Sequence, residues 1–143
     1  MKKHRVLLLV HERLVPKEGI PAAEVDPEWR MEWDVVTTLR KRGHELMVIG
    51  VHDDLTPIRS SIEEFKPTIV FNLMEAFDNI GVFDQNVVSY LELLKVPYTG
   101  CNPRGLTLAR DKALARKLLA YHRIPSPAFK VIPLGKSPVL PKG

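Results

Sequence analysis

Three groups of residues in this 143-residue sequence have the types and positions to do chemistry. His11-Glu12-Arg13 directly follows the apolar run Val6–Val10. Asn72 ends the run Thr68–Asn72, Glu75 and Asp78 lie in the loop after it, and Asp84 closes that loop. In an open parallel sheet, ligands bind beyond the carboxyl ends of the strands, near the switch in strand order. That rule selects the loops 11–26 and 73–83 as the site. The third group is basic: Lys112 and Arg116 are one helical turn apart, with Lys117 and Arg123 nearby. A lysine at a helix start adds charge to backbone donors that already favour an anion, so a phosphate is the matching ligand. A solvated basic face is the plainer alternative.

Other chemistries have less support. The sequence has no G-x-G-x-x-G and no G-x-x-x-x-G-K-[ST], so neither a dinucleotide fingerprint nor a P-loop is present. His4, His11, His44, His52 and His122 lack metal-ligand spacing, and one cysteine excludes a cysteine-based zinc site. No metal site is expected. Cys101, in a turn after Gly100, reads as a small buried thiol.

Short apolar runs alternate with amphipathic stretches, the pattern of βαβ units. Val6–Val10 reads as a buried strand. Asp26-Pro27 opens a helix that Gly43 ends, with Met31, Val35 and Leu39 along one stripe and Trp29, Trp33 and Val36 widening it. That width suggests a homodimer or a contact surface for a further domain. Glu45–Val51 is the second strand, Thr56-Pro57 to Pro67 the second helix, and Thr68–Asn72 the third strand. Asp84 is expected to cap a helix carrying Val87, Leu91 and Leu94. Val96–Gly100 reads as a short strand and turn. Asn102-Pro103 starts a short helix, and Asp111 caps another that runs to His122 on a Leu114, Leu118 and Tyr121 core stripe. Five of the 12 prolines fall in the last 19 residues. Phe129–Ile132 is a possible strand in that segment, which otherwise reads as an extended linker.

Composition agrees with a globular α/β domain: 45% hydrophobic and 27% charged residues. No apolar run approaches the ~20 residues that span a bilayer, and a single cysteine suits a reducing compartment, so a cytoplasmic protein is expected without membrane contact. The net charge of +4 divides unevenly. Residues 1–100 hold 12 Lys/Arg against 16 Asp/Glu, or −4, and residues 101–143 hold nine against one, or +8. A nucleic acid, a nucleotide or another protein domain could answer that basic end.

Four blocks narrow the choice. They are Ile69-Val70-Phe71-Asn72-Leu73-Met74-Glu75, Leu91-Glu92-Leu93-Leu94-Lys95-Val96-Pro97-Tyr98-Thr99-Gly100, Leu106 to Ala109-Arg110-Asp111-Lys112, and Arg123-Ile124-Pro125-Ser126-Pro127. Together they resemble D-alanine–D-alanine ligases and their relatives in the ATP-grasp superfamily, most clearly over residues 69–129.

The resemblance implies a Rossmann-like (pre-ATP-grasp) α/β domain over 1–100, a parallel sheet of about four strands with helices on both faces. It implies a helical lead-in to the ATP-binding domain over 101–123, and an incomplete Pro-rich strand or linker over 124–143. It further implies an ATP-dependent carboxylate–amine ligase working through an acyl phosphate on an amino-acid or peptide substrate. Lys112 inherits contact with the nucleotide phosphates. Glu12 stands nearest the family's substrate-amine glutamate. Phe77–Gln85 replaces the family's H-G-x-x-G-E-D-G segment, keeping Gly81 and Asp84, and Glu75 adjoins it. ATP and Mg²⁺ are implied for the full-length parent, with none bound tightly by this chain. The remaining nucleotide and Mg²⁺ residues belong to a C-terminal ATP-grasp domain beyond Gly143. The expected fragment is therefore inactive alone and contributes no catalytic residue, and nucleic acid is not an expected partner. A non-catalytic binding or assembly domain on the same sheet is the alternative.

Overall fold

The computed structural model describes residues 2–137. Its centre is the strand β1, Arg5–His11, flanked by the parallel strands β2, Glu45–Val51, and β3, Ile69–Asn72, in the order β2-β1-β3. Covered on both faces, β1 can be apolar throughout, and Val6 to Val10 are all buried. Alternation of side chains then splits its residues between two cores. Leu7 and Leu9 pack with Ile58, Phe65, Val87 and Leu91 on one face. Leu8 and Val10 pack with Val36 on the other. Each fully buried leucine contributes roughly 1.5–3 kcal/mol over an exposed one.

The helices follow the local signals. α1, Arg30–Lys41, covers the Leu8/Val10 face, after a 3-10 turn at Pro27–Trp29 in which the Asp26 carboxylate accepts from the Glu28 amide. The helix therefore begins three residues later than Asp26-Pro27 suggests. Gly43, at φ +77°, ends it with its amide donating to the Arg40 carbonyl. α2, Thr56–Phe65, and α3, Asp84–Leu93, cover the other face. α4, Pro103–Arg110, packs on α3, and α5, Lys112–Tyr121, continues from it.

Several expectations are corrected. The sheet has three strands, not four: Pro97–Thr99 adds only an isolated parallel bridge, through the Val70 amide to the Pro97 carbonyl and the Thr99 amide to the Val70 carbonyl. Pro97 has no amide to extend a ladder. Asp84 is the first residue of α3 and not its cap, because a 3-10 turn at Gly81–Phe83 precedes it. Met31 on α1 is half exposed, and Trp29, in the turn before α1, is buried and so adds nothing to an outward apolar face. The Leu114, Leu118 and Tyr121 stripe is exposed, and α5 has no buried residue. Cys101 is exposed, not buried. Phe129–Ile132 forms no strand, and residues 138–143 of the expected linker lie outside the described residues. No helix among the described residues is long and apolar enough to cross a membrane.

Candidate functional site

The carboxyl ends of the strands converge as the parallel-sheet rule requires. His11 ends β1, His52 follows β2, and Asn72 ends β3. Gly50 lets the chain after β1 lie directly on β2: a Cβ there would stand 2.7 Å from Val15 Cγ2 and 2.8 Å from the Glu12 Cα. That close approach carries Glu12 to His52, whose Nδ1 is 3.3 Å from the Glu12 Oε1. The two histidine rings lie 5.4 Å apart. The loop 73–83 reaches across the same edge. Its Asp78 amide donates to the His52 carbonyl at 2.8 Å, and the Asn79 side-chain nitrogen lies 2.8 Å from His52 Nε2. Asp78 and Asn79 both take positive φ, near +53° and +57°, conformations that Asp and Asn tolerate better than most residues.

The other end of that loop is held by a clamp. Asp84 is 5% exposed, and its carboxylate takes Arg110 Nε at 3.1 Å and Arg110 Nη2 at 2.6 Å. Arg110 Nη2 also donates to the Glu75 carbonyl at 2.8 Å. Hydrogen bonding to Asp84 pushes the Arg110 guanidinium pKa up. Gly81 makes room, since a Cβ there would stand 3.2 Å from Arg110 Nη1. A Thr107–Gln85 hydrogen bond adds a second tie between α4 and α3. The Asp84 carboxylate is thus engaged by the protein itself, and the clamp fixes where α4 ends and α5 begins.

Asp111 occupies that junction. Its Oδ1 accepts from the Leu114 amide at 2.8 Å, capping α5. Lys112 follows as an exposed residue in the first position of α5. Arg116, one turn on, donates to the Pro127 carbonyl at 3.1 Å and ties the Pro-rich segment to the helix. Lys112 opens α5, whereas Glu12 lies beside His52 and the Glu75 carbonyl takes Arg110, so these three candidates stand on separate elements.

A residue that sequence reasoning passes over is Glu32. It lies on the inward stripe of α1, between Trp29 and Val36 at i+3 and i+7, and is only 2% exposed. A charged residue at an inward position of an amphipathic helix is the signal that could have revealed it. Glu32 lines a cavity of about 320 Å³ between α1 and the ends of β1 and β3, together with His11, Glu28, Met31, Leu73 and Glu75. Glu12, by contrast, sits over β2 and does not line it. Among the described residues no group of three or more His, Cys, Asp or Glu could hold a metal ion.

No family model matches the chain. It is 31% identical over 117 residues to an uncharacterized protein, y4sG, of Sinorhizobium fredii, covering 76% of this chain and 34% of that protein. It is 26% identical over 111 residues to a D-alanine–D-alanine ligase of Moorella thermoacetica, covering 78% of this chain and 34% of the ligase. It is 31% identical over 97 residues to the D-alanine–D-alanine ligase of Gluconobacter oxydans, covering 68% and 31%. The chain is therefore related to D-alanine–D-alanine ligases, and spans about a third of the length of these relatives.

Proposed function

We propose that this chain is the substrate-side portion of an ATP-dependent carboxylate–amine ligase of the ATP-grasp type, working in the cytoplasm, with Lys112 directed to the nucleotide phosphates. The observation that carries this is the similarity to several D-alanine–D-alanine ligases over 68–80% of the chain. The arrangement around Lys112 supports it. An exposed ammonium at the first position of a ten-residue helix joins a side-chain charge to backbone N–H donors that favour anions. The preceding residues are clamped by Arg110 to Asp84, so the junction that carries Lys112 is fixed. ATP, when bound, supplies the phosphoryl group that turns a carboxylate into an acyl phosphate open to attack by an amine. This chain's part is to hold Lys112 near the phosphates and to form the floor for the substrate at the carboxyl edge of the sheet. Among the described residues no group of three or more His, Cys, Asp or Glu is placed to hold Mg²⁺.

The exposed Leu114, Leu118 and Tyr121 stripe supports a second element of the proposal, that the C-terminal ATP-grasp domain of a longer protein packs against α5. Residues 1–100, 101–123 and 124–143 are then a pre-ATP-grasp domain, a lead-in and a connecting segment. The test is turnover. The full-length protein should release ADP only when ATP, a carboxylate and an amine are all present, with an amide product by mass spectrometry. The 143-residue chain should release none. ATP consumption by the isolated chain above a heat-inactivated control, or no amide from the full-length protein with any amino acid or dipeptide, would overturn the proposal.

A further inference from the structure

We infer that Arg110 is the positioning residue for Lys112, through a guanidinium that locks the end of α4 to both ends of the 73–83 loop. Just past that loop the fork of Arg110 meets the Asp84 carboxylate, with Nε 3.1 Å from each oxygen and Nη2 2.6 Å from Oδ2. Near the start of the loop, Nη2 also donates to the Glu75 carbonyl at 2.8 Å. Only Asp111, the cap of α5, separates Arg110 from Lys112. Because α5 buries no side chain, its place is set at that junction and not by core packing. A buried ion pair is a poor source of stability, since apolar residues of similar volume do as well. What this pair supplies is direction: a planar fork on a carboxylate fixes the plane of the guanidinium. Asp84 is itself held, being 5% exposed and accepting the Gln85 amide on Oδ1 at 2.6 Å.

Two substitutions separate direction from charge. Lysine at 110 still neutralises Asp84, but its single nitrogen cannot meet the carboxylate and the Glu75 carbonyl in the geometry of the fork. Alanine at 81 leaves Arg110 in place and pushes on it: the new Cβ would stand 3.2 Å from Arg110 Nη1 and 3.7 Å from Cζ. Either change moves the junction that carries Lys112 relative to the loop at the carboxyl edge of the sheet. A carboxylate must meet the transferring phosphoryl group in a near-attack geometry, so a small misplacement of the phosphate-binding ammonium slows the reaction. The role given to Lys112 rests on the ligase reading. The geometry of the clamp does not.

The test is a double-mutant cycle on kcat/KM for ATP in the full-length protein. Arg110→Lys should lower it by about fivefold or more, and Lys112→Ala by about tenfold or more. The double variant should fall no further than Lys112→Ala alone, because Arg110 acts through a group that is then missing. A clamp that served folding only would lower activity by the same factor in both backgrounds. The thermal midpoint of Arg110→Lys should stay near the wild-type value, whereas Arg110→Ala, which strands the Asp84 carboxylate, should lower it clearly. Should the lysine variant fail to fold, Gly81→Ala carries the same cycle, with an expected loss of about twofold that vanishes beside Lys112→Ala. Wild-type kcat/KM in a folded Arg110→Lys, or equal losses with and without Lys112, would overturn the inference. Wild-type ATP kinetics in Lys112→Ala would remove the ligase reading of Lys112 and this inference with it, so the two failures appear in different arms.

Discussion

Replacing Asp111 by Ala should loosen α5 without moving the global melting midpoint. Asp111 caps α5 through a 2.8 Å bond from the Leu114 amide, and losing such a cap costs about 1 kcal/mol. What that free energy acts on is set by burial. The ten residues of α5 include no buried side chain, and a helix of that length has little stability of its own. The loss should therefore fall on a local opening equilibrium, changing it about fivefold. Amide hydrogen exchange reads this directly. Exchange over Ala115–Ala120 should accelerate about fivefold in Asp111→Ala and stay at the wild-type rate in Asp111→Asn, because Asn caps as well as Asp. Amides of Leu7, Leu8 and Leu9 should not change. A core substitution supplies the contrast: Leu7→Ala should cost about 2–5 kcal/mol globally. If Asp111→Ala lowers the global midpoint as Leu7→Ala does, or leaves α5 exchange unchanged, the picture of α5 as a locally held helix is wrong.

Gly50→Ala should displace the Glu12–Val15 segment, because the new Cβ would meet backbone at 2.8 Å; the cost is about 1–3 kcal/mol by denaturant unfolding. The same variant should separate Glu12 from His52, seen as changed His52 ring proton chemical shifts by NMR. Tyr98 donates to a Glu92 carboxylate oxygen at 2.7 Å, and that bond, then burial, push its phenol up to about 12. Its folded value therefore lies above the unfolded value of about 10. The stabilisation is fully present below about pH 10 and is lost as pH rises toward 12. Ultraviolet titration should show one late-ionising tyrosine that disappears in Tyr98→Phe and titrates earlier in Glu92→Gln.

Much of the fold is legible in the sequence because its signals are local. Val6–Val10 is uniformly apolar, and Gly43, Thr56-Pro57, Pro67 and Asn102-Pro103 mark element ends where they occur. What is not legible depends on partners distant in sequence. Whether Val96–Gly100 becomes a strand depends on how far it pairs with Val70, and Pro97 limits that pairing to one bridge. Leu114, Leu118 and Tyr121 have helical spacing, but spacing does not say whether anything covers them. At the site, the loops 11–26 and 73–83 follow from the parallel-sheet rule, and the structure brings Glu12 and Asn79 together at His52. The Arg110–Asp84 clamp joins residues 26 positions apart, which no periodicity reveals. Glu32 is readable as a charge between Trp29 and Val36, yet the more obvious stripe of Met31, Val35 and Leu39 lies one residue, about 100°, around the helix from it.

The phosphate role of Lys112 is tested most directly by steady-state ATP kinetics of the full-length protein carrying Lys112→Ala. Lys112 is exposed and makes no cap, so the thermal midpoint should stay at the wild-type value. Loss of one charge-assisted contact to phosphate should lower kcat/KM for ATP by about tenfold or more. Wild-type kcat and wild-type KM for ATP in that variant would contradict the role and leave Lys112 as one more solvated lysine on a basic face.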